Sequence, residues 1–365
     1  MLAIEIYRWP TSDCNGGVAP KTICPRGQST IEYVLIIAVI GLVIVFAGPG
    51  VAGAIRNQFN LVGNTLDSGT SGGTEGGGSA GADSAIVQAA VAKDAKDWTL
   101  DEQKAVAEDI AAKGKASPAY AKAKAAMDAG TEFSMKLTNS DILKYRIIGI
   151  NHDDLADGSG KAGLTFLTTS PTISSYMCYR GSKSNAGGWE FSDLRAMLNG
   201  EPFWNLMPTE FQSKVKRVKK LTNNAGSGEE ILGDEENKNI SATATLDKLF
   251  LLSYSEIVPA AHGEGEIIPS LPGTPTGGPT HNWAYKYPWT SSEGTQYEAF
   301  QGKVAERYSN NACLQLDSEG FRWEWWERTV NPGSSTGFLN VDADGNPSDS
   351  CDQKTSLYVC PAWCF

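Results

Sequence analysis

Three histidines in 365 residues, and no G-x-S-x-G elbow, P-loop, HExxH or paired-cysteine metal motif, leave the chain without the parts of familiar hydrolytic, nucleotide-binding or zinc sites. Basic residues are also in the minority. The 31 Lys and Arg stand against 42 Asp and Glu, a net charge of -11, which weighs against a surface built for nucleic-acid phosphates. No apolar stretch precedes Gly27, so residues 1–27 do not read as a conventional secretory signal. Cys360-Pro-Ala-Trp-Cys364 lacks a second ligand pair, and His152, His262 and His281 are scattered. Asp342-Ala-Asp344-Gly345-Asn346 lacks calcium-loop spacing and reads as an Asp-Gly turn. No catalytic, cofactor-binding or metal-binding residue is expected, and the chain is not read as an enzyme.

Charge is missing altogether from Val34 to Ile55. About 22 helical residues at roughly 1.5 Å rise reach the roughly 30 Å thickness of a bilayer core, so this run predicts one membrane-spanning helix. Gly48-Pro49-Gly50 is expected to kink or end it. Lys21 and Arg26 on its amino side place residues 1–27 in the cytoplasm and the remainder outside a bacterial inner membrane, at the cell surface. Glu32, at the head of the run, has a cost in lipid and therefore suggests a role.

The run Gly27-Gln28-Ser29-Thr30-Ile31-Glu32-Tyr33, followed by apolar residues, resembles the processing site of type IV pilins, most closely the Flp pilins of tight-adherence pili. The resemblance implies cleavage by a prepilin peptidase between Gly27 and Gln28. It also implies assembly through Glu32 and Tyr33, with the Glu32 carboxylate meeting the Gln28 amine of a neighbouring pilin subunit. The leader, residues 1–27, departs from the family in its length and in carrying Cys14, Cys24 and three prolines.

Residues 28–60 thus form the expected pilin-like helix, in the membrane before assembly, and 61–83 a Gly/Ser-rich tether. Residues 84–130 turn alanine-rich, with a capping box at Thr99-Leu-Asp-Glu102 and a cap at Ser117-Pro118, and read as three short helices forming a spacer or stalk. From about residue 140 short β-like runs such as Tyr145–Ile150 and Leu164–Thr168 signal a globular α+β domain to residue 365. The fold class expected is α+β: one transmembrane pilin-like helix, a helical spacer, then an extracellular globular head.

Four segments of the head resemble a bacterial domain of unknown function found at the ends of many surface proteins. They are the Tyr145-Arg-Ile-Ile strand, Trp189-Glu-Phe-Ser-Asp193-Leu-Arg195-Ala-Met-Leu-Asn199-Gly200, Asp247–Ser253, and Trp325-Trp326 with Arg328 and Pro332-Gly333. Glu327 departs from that pattern, which has leucine there; so does the Pro/Gly-rich insertion from Val258 to Thr280. The fold this likeness implies is a C-type-lectin-like or sulfatase-modifying-enzyme-like α+β domain, with the tryptophan pair near long irregular loops.

Phe321, Trp323 and Trp325 alternate and would share one strand face, either as core or as a platform for sugars; Trp323, Trp325, Trp326 and Arg328 are the candidate ligand contacts. Trp283, Tyr285, Tyr287 and Trp289 form a second alternating set. Phe191, Leu194, Arg195 and Leu198 recur at helical spacing, their apolar members facing the core. Lys214, Lys216, Arg217, Lys219 and Lys220 read as a hydrated basic loop. Cys178, Cys313, Cys351, Cys360 and Cys364, on the oxidising side, are candidates for two disulfides of undetermined pairing. Together these features describe a minor or tip pilus subunit presenting an adhesin-like head to a glycan or protein. The competing reading is a singly anchored extracellular binding protein or enzyme outside any pilus.

Overall fold

The computed structural model describes residues 84–179, 184–222, 242–258, 292–304, 312–316, 319–331, 334–347 and 349–365. The leader, the 28–60 helix, the tether, the second aromatic set, His262, His281, Cys14 and Cys24 lie outside the described residues. Among the described residues no helix is long and apolar enough to cross a membrane. The expected class, a spanning helix with a spacer and a lectin-like head, is therefore corrected to a mixed α+β fold in which the spacer residues belong to the core.

Three helices open the described chain: α1 (Ser84–Ala92), α2 (Leu100–Lys113) and α3 (Tyr120–Asp128). Thr99 caps α2 through the expected box, its hydroxyl accepting from the Glu102 amide while the Glu102 carboxylate accepts from the Thr99 amide at 2.7 Å. Their alanines do not make a stalk. Val87, Ala90, Val106, Ala107, Ile110, Ala123 and Met127 are all buried in the common core. Small side chains let helix and sheet backbones approach closely. A Cβ added at Gly163, just before the third strand, would sit 1.8 Å from the Ala107 carbonyl oxygen. Trp98 lies on Phe133 with centroids 6.2 Å apart, and the Tyr145 hydroxyl donates to Gln103 Oε1 at 3.1 Å.

The strands follow as β1 (Glu132–Lys136), β2 (Ile142–Ile150), β3 (Leu164–Thr168), β4 (Ser174–Ser175), β5 (Val218–Thr222) and β6 (Thr243–Asp247). After these come β7 (Gln315–Leu316), β8 (Arg322–Trp323), β9 (Trp325–Val330), β10 (Gly337–Val341), β11 (Asp349–Asp352), β12 (Leu357–Tyr358) and β13 (Ala362–Cys364). One sheet has the order β1-β2-β3-β13 and is antiparallel throughout, so among the described residues the last strand closes the sheet begun by the first. A second sheet runs β11-β10-β9-β12-β4; β5-β6 and β7-β8 are separate ribbons. Every residue of β3 and β9 is buried, which is why both lack polar alternation in accessibility.

Two of the recognised motifs meet. Helix α4 (Asp193–Asn199) starts at a Ser192 cap and buries Leu194 and Leu198 as the spacing predicts, whereas Phe191 precedes the helix and is 76% exposed. Buried Asp247 accepts from Trp189 Nε1 at 3.0 Å, Arg195 Nε at 2.7 Å and Thr245 Oγ1 at 2.6 Å. Asn199 accepts from the Lys248 amide and donates to the Leu249 carbonyl. These motif residues hold α4 against the end of β6. Asp342 Oδ1 accepts from the Asp344 and Asn346 amides, with Gly345 at φ 86°, so the Asp-Gly segment is a turn between β10 and β11.

Gly163→Ala should lower stability by roughly 1–3 kcal/mol or more, because the clash is with backbone. The shift of the denaturant midpoint reads it; a silent substitution would mean that α2 is not packed on this sheet.

Candidate binding surfaces

The tryptophans proposed as a sugar platform do not share one surface. Phe321 is exposed, Trp323 is half-buried against Tyr358 (centroids 4.6 Å), and Trp325 and Trp326 are buried. Their indole nitrogens are turned to protein: Trp325 donates to the Cys313 carbonyl at 3.0 Å and Trp326 to the Ser175 carbonyl at 2.9 Å. The break at Glu324, between β8 and β9, ends the shared face.

Arg328, the fourth candidate, is fully buried, and acceptors meet all five of its N–H donors. Nη1 reaches Leu251 O and Glu256 Oε2, Nη2 reaches Leu221 O and Glu293 O, and Nε reaches Leu221 O. Glu256 also pairs with Lys220, which in turn reaches Asp153 at 2.6 Å. Tyr297 and Thr165 hydroxyls donate to the same Asp153 carboxylate at 2.8 and 2.5 Å. The basic stretch read as a hydrated loop is thus partly structural: Lys220 points inward from β5, and the buried Lys214 side chain pairs with the exposed carboxylates of Asp101 and Glu210.

Two cations and two carboxylates therefore neutralise each other inside the unit. Burial alone would pull the Lys220 ammonium down, but Asp153 and Glu256 outweigh it and hold its pKa above the ordinary value. Burial would raise Asp153 and Glu256, yet Lys220 acts on the first, and Arg328 with Lys220 on the second, to hold both below the usual carboxylate range. The network's lysine stays charged and is no nucleophile at neutral pH. Above it lies a polar cleft of about 260 Å³ with His152, Lys161, Lys219 and Thr295 on its walls. The His152 ring stacks on Tyr297 at 3.9 Å, and burial depresses its pKa.

A different surface is open to solvent. Tyr176 and Tyr179 follow β4, 38% and 66% exposed, with ring centroids 5.2 Å apart. They line a groove of about 380 Å³ with Asp193, Met197 and Glu201. The Tyr179 amide donates to Asp193 Oδ2 at 2.9 Å, fastening the groove's edge to the start of α4. Sequence periodicity could not find this pair, because it lies in an irregular segment rather than on a strand face.

The five cysteines of the described chain carry free thiols, so neither expected disulfide is formed. Cys313, Cys360 and Cys364 are buried, and burial raises the pKa of each thiol. Glu327 is the misfit of β9. It is fully buried, neither carboxylate oxygen has a hydrogen-bond partner, and burial together with Glu293 raises its pKa well above normal. Gly27, Gln28, Glu32 and Tyr33 lie outside the described residues.

Residues 163–365 match a family model described as a domain of unknown function, DUF6273. The match spans more than half of the chain, which therefore belongs to that family. It begins just before β3, so α1–α3, β1 and β2 precede it although they share its core. No curated protein and no solved structure matches, and the lectin-like likeness has no solved counterpart.

Glu327→Leu should stabilise the protein at pH 7 by about 1–3 kcal/mol, the scale of one unsatisfied buried polar group. Because folding raises this acid's pKa above 4.5, its protonated form is tolerated below that pH and stability falls as pH rises towards the folded-state pKa. Chemical denaturation from pH 4 to 8 should therefore show the wild-type deficit growing with pH; a pH-independent difference would contradict the assignment.

Proposed function

We propose that this DUF6273-family chain is a pilin-like surface protein, a minor or tip subunit of a tight-adherence pilus whose α+β unit is an adhesin-like head. Prepilin peptidase removes residues 1–27, and Glu32 and Tyr33 engage neighbouring pilin subunits. Supporting the amino-terminal part are Gly27-Gln28, the Glu32-Tyr33 pair and the uncharged run from Val34 to Ile55.

The observation that carries the head's role is the Tyr176–Tyr179 groove. Two large rings held in water are unfavourable unless a partner covers them, and exposed tyrosines beside carboxylates suit a sugar, whose apolar face stacks while its hydroxyls donate. The buried ion network supports binding over turnover, since its charged groups are engaged with one another.

Mass spectrometry of the mature chain should find Gln28 as the first residue; retention of Met1 in pili-producing cells would refute the pilin assignment. Independently, a glycan array probed with the full chain should give signals that drop on the order of tenfold in Tyr176→Ala/Tyr179→Ala, since each lost stacking contact is worth about 1 kcal/mol. Equal signals from both proteins would remove the groove from recognition.

A further inference from the structure

Arg146 is the arginine whose surroundings do not account for its charge. Among the described residues, Arg195 pairs with Asp247 at 2.7 Å, Arg322 with Asp344 at 2.6 Å and Arg328 with Glu256 at 2.5 Å, while Arg217 is exposed to water. Arg146 has no such ion pair and is only partly open to water. It is half-buried on β2, and no carboxylate of the described residues lies within ion-pair distance. One hydrogen bond is made, from Nη2 to the Ala312 carbonyl at 2.6 Å, and the guanidinium lies 5.7 Å from the Phe300 ring centroid. Nε is buried with no acceptor. A guanidinium stays protonated in proteins, so unused donors beside a cavity call for an acceptor from outside the chain.

The cavity is there. An open pocket of about 250 Å³ is lined by Arg146, Gly130, Glu132, Thr169, Gln315 and Leu316. Glu132, directly across the β1–β2 register, is drawn off: its Oε1 accepts from Thr169 Oγ1 at 2.7 Å and its Oε2 lies 3.7 Å from Lys144. Among the described residues this leaves the guanidinium without an ion-paired carboxylate while keeping one negative charge on the wall. We propose that the cavity is a binding site for a small carboxylic acid, its carboxylate held by the Arg146 guanidinium. Carboxylate and phosphate both satisfy a guanidinium fork, but Glu132 disfavours a doubly charged phosphate more than a singly charged carboxylate. The volume suits a short acid, not a polymer. The site shares no residue with the tyrosine groove and does not depend on it.

Calorimetric titration of the full chain with sodium butyrate, at ionic strength matched with sodium chloride, should show saturable binding that weakens on the order of tenfold or more in Arg146→Gln. Arg146→Lys, which keeps the charge and loses the fork, should fall between them. Leu316→Trp, at the exposed rim and away from the guanidinium, should block the cavity and abolish binding with the fold intact, which separates occupancy from stability. The Arg146 Nε–H resonance should shift as butyrate saturates. Absent binding, unchanged affinity in Arg146→Gln, an unmoved Nε–H signal, or inorganic phosphate binding more tightly than butyrate would each overturn the proposal.

Discussion

The structure depends on the ion network of Asp153, Lys220, Glu256 and Arg328. These residues come from the segment after β2, from β5, from the short turn of helix at Tyr254–Ile257 and from β9, and they tie the β5-β6 ribbon to the sheet that holds β9 and to the chain leaving β2. Charges taken out of water require complete pairing, and removing one member of such a pair typically costs about 3–5 kcal/mol. The geometry meets that requirement with hydroxyls and backbone carbonyls: Tyr297 and Thr165 complete Asp153, and Leu221, Leu251 and Glu293 complete Arg328. Packing adds to it, since Lys220 also lies 4.3 Å from the Phe250 ring centroid.

Against that satisfied centre, the unsatisfied groups stand out. Glu327 occupies a position of β9 with no hydrogen-bond partner, and burial beside Glu293 raises its pKa well above the ordinary value. Arg146 retains a buried donor beside a cavity. The two differ in consequence. A carboxyl can take up a proton and so avoid carrying a buried charge, whereas a guanidinium cannot discharge and draws an anion. The same distinction separates a local instability from a proposed binding site.

The family motifs serve architecture before function. Trp189, Arg195 and Asn199 hold α4 to Asp247 and its successors, and the Trp325-Trp326 pair anchors β9 beneath Cys313 and Ser175. The open grooves lie instead beside connecting segments: Tyr176 and Tyr179 after β4, and the segment around Ala312 that leads into β7 beside Arg146. This division is physically reasonable, since regular elements fix positions while connecting segments tolerate the shapes that ligands need.

Local features were legible in the sequence because they depend on neighbours a few residues apart. Thr99 and Glu102 form their box, Leu194 and Leu198 face inward at helical spacing, and Asp342 to Asn346 turn as an Asp-Gly segment must. The uncharged run and the Gly27-Gln28 junction are likewise properties of the chain itself. What only the tertiary structure decided were partners distant in the chain. An alanine-rich stretch reads as a stalk until Ala107 meets Gly163, and a lysine in a basic run reads as solvated until Asp153 and Glu256 close on it. Whether a tryptophan or an arginine faces ligand or core is set by burial, and burial is decided by which surfaces fold together, not by the residue or its spacing.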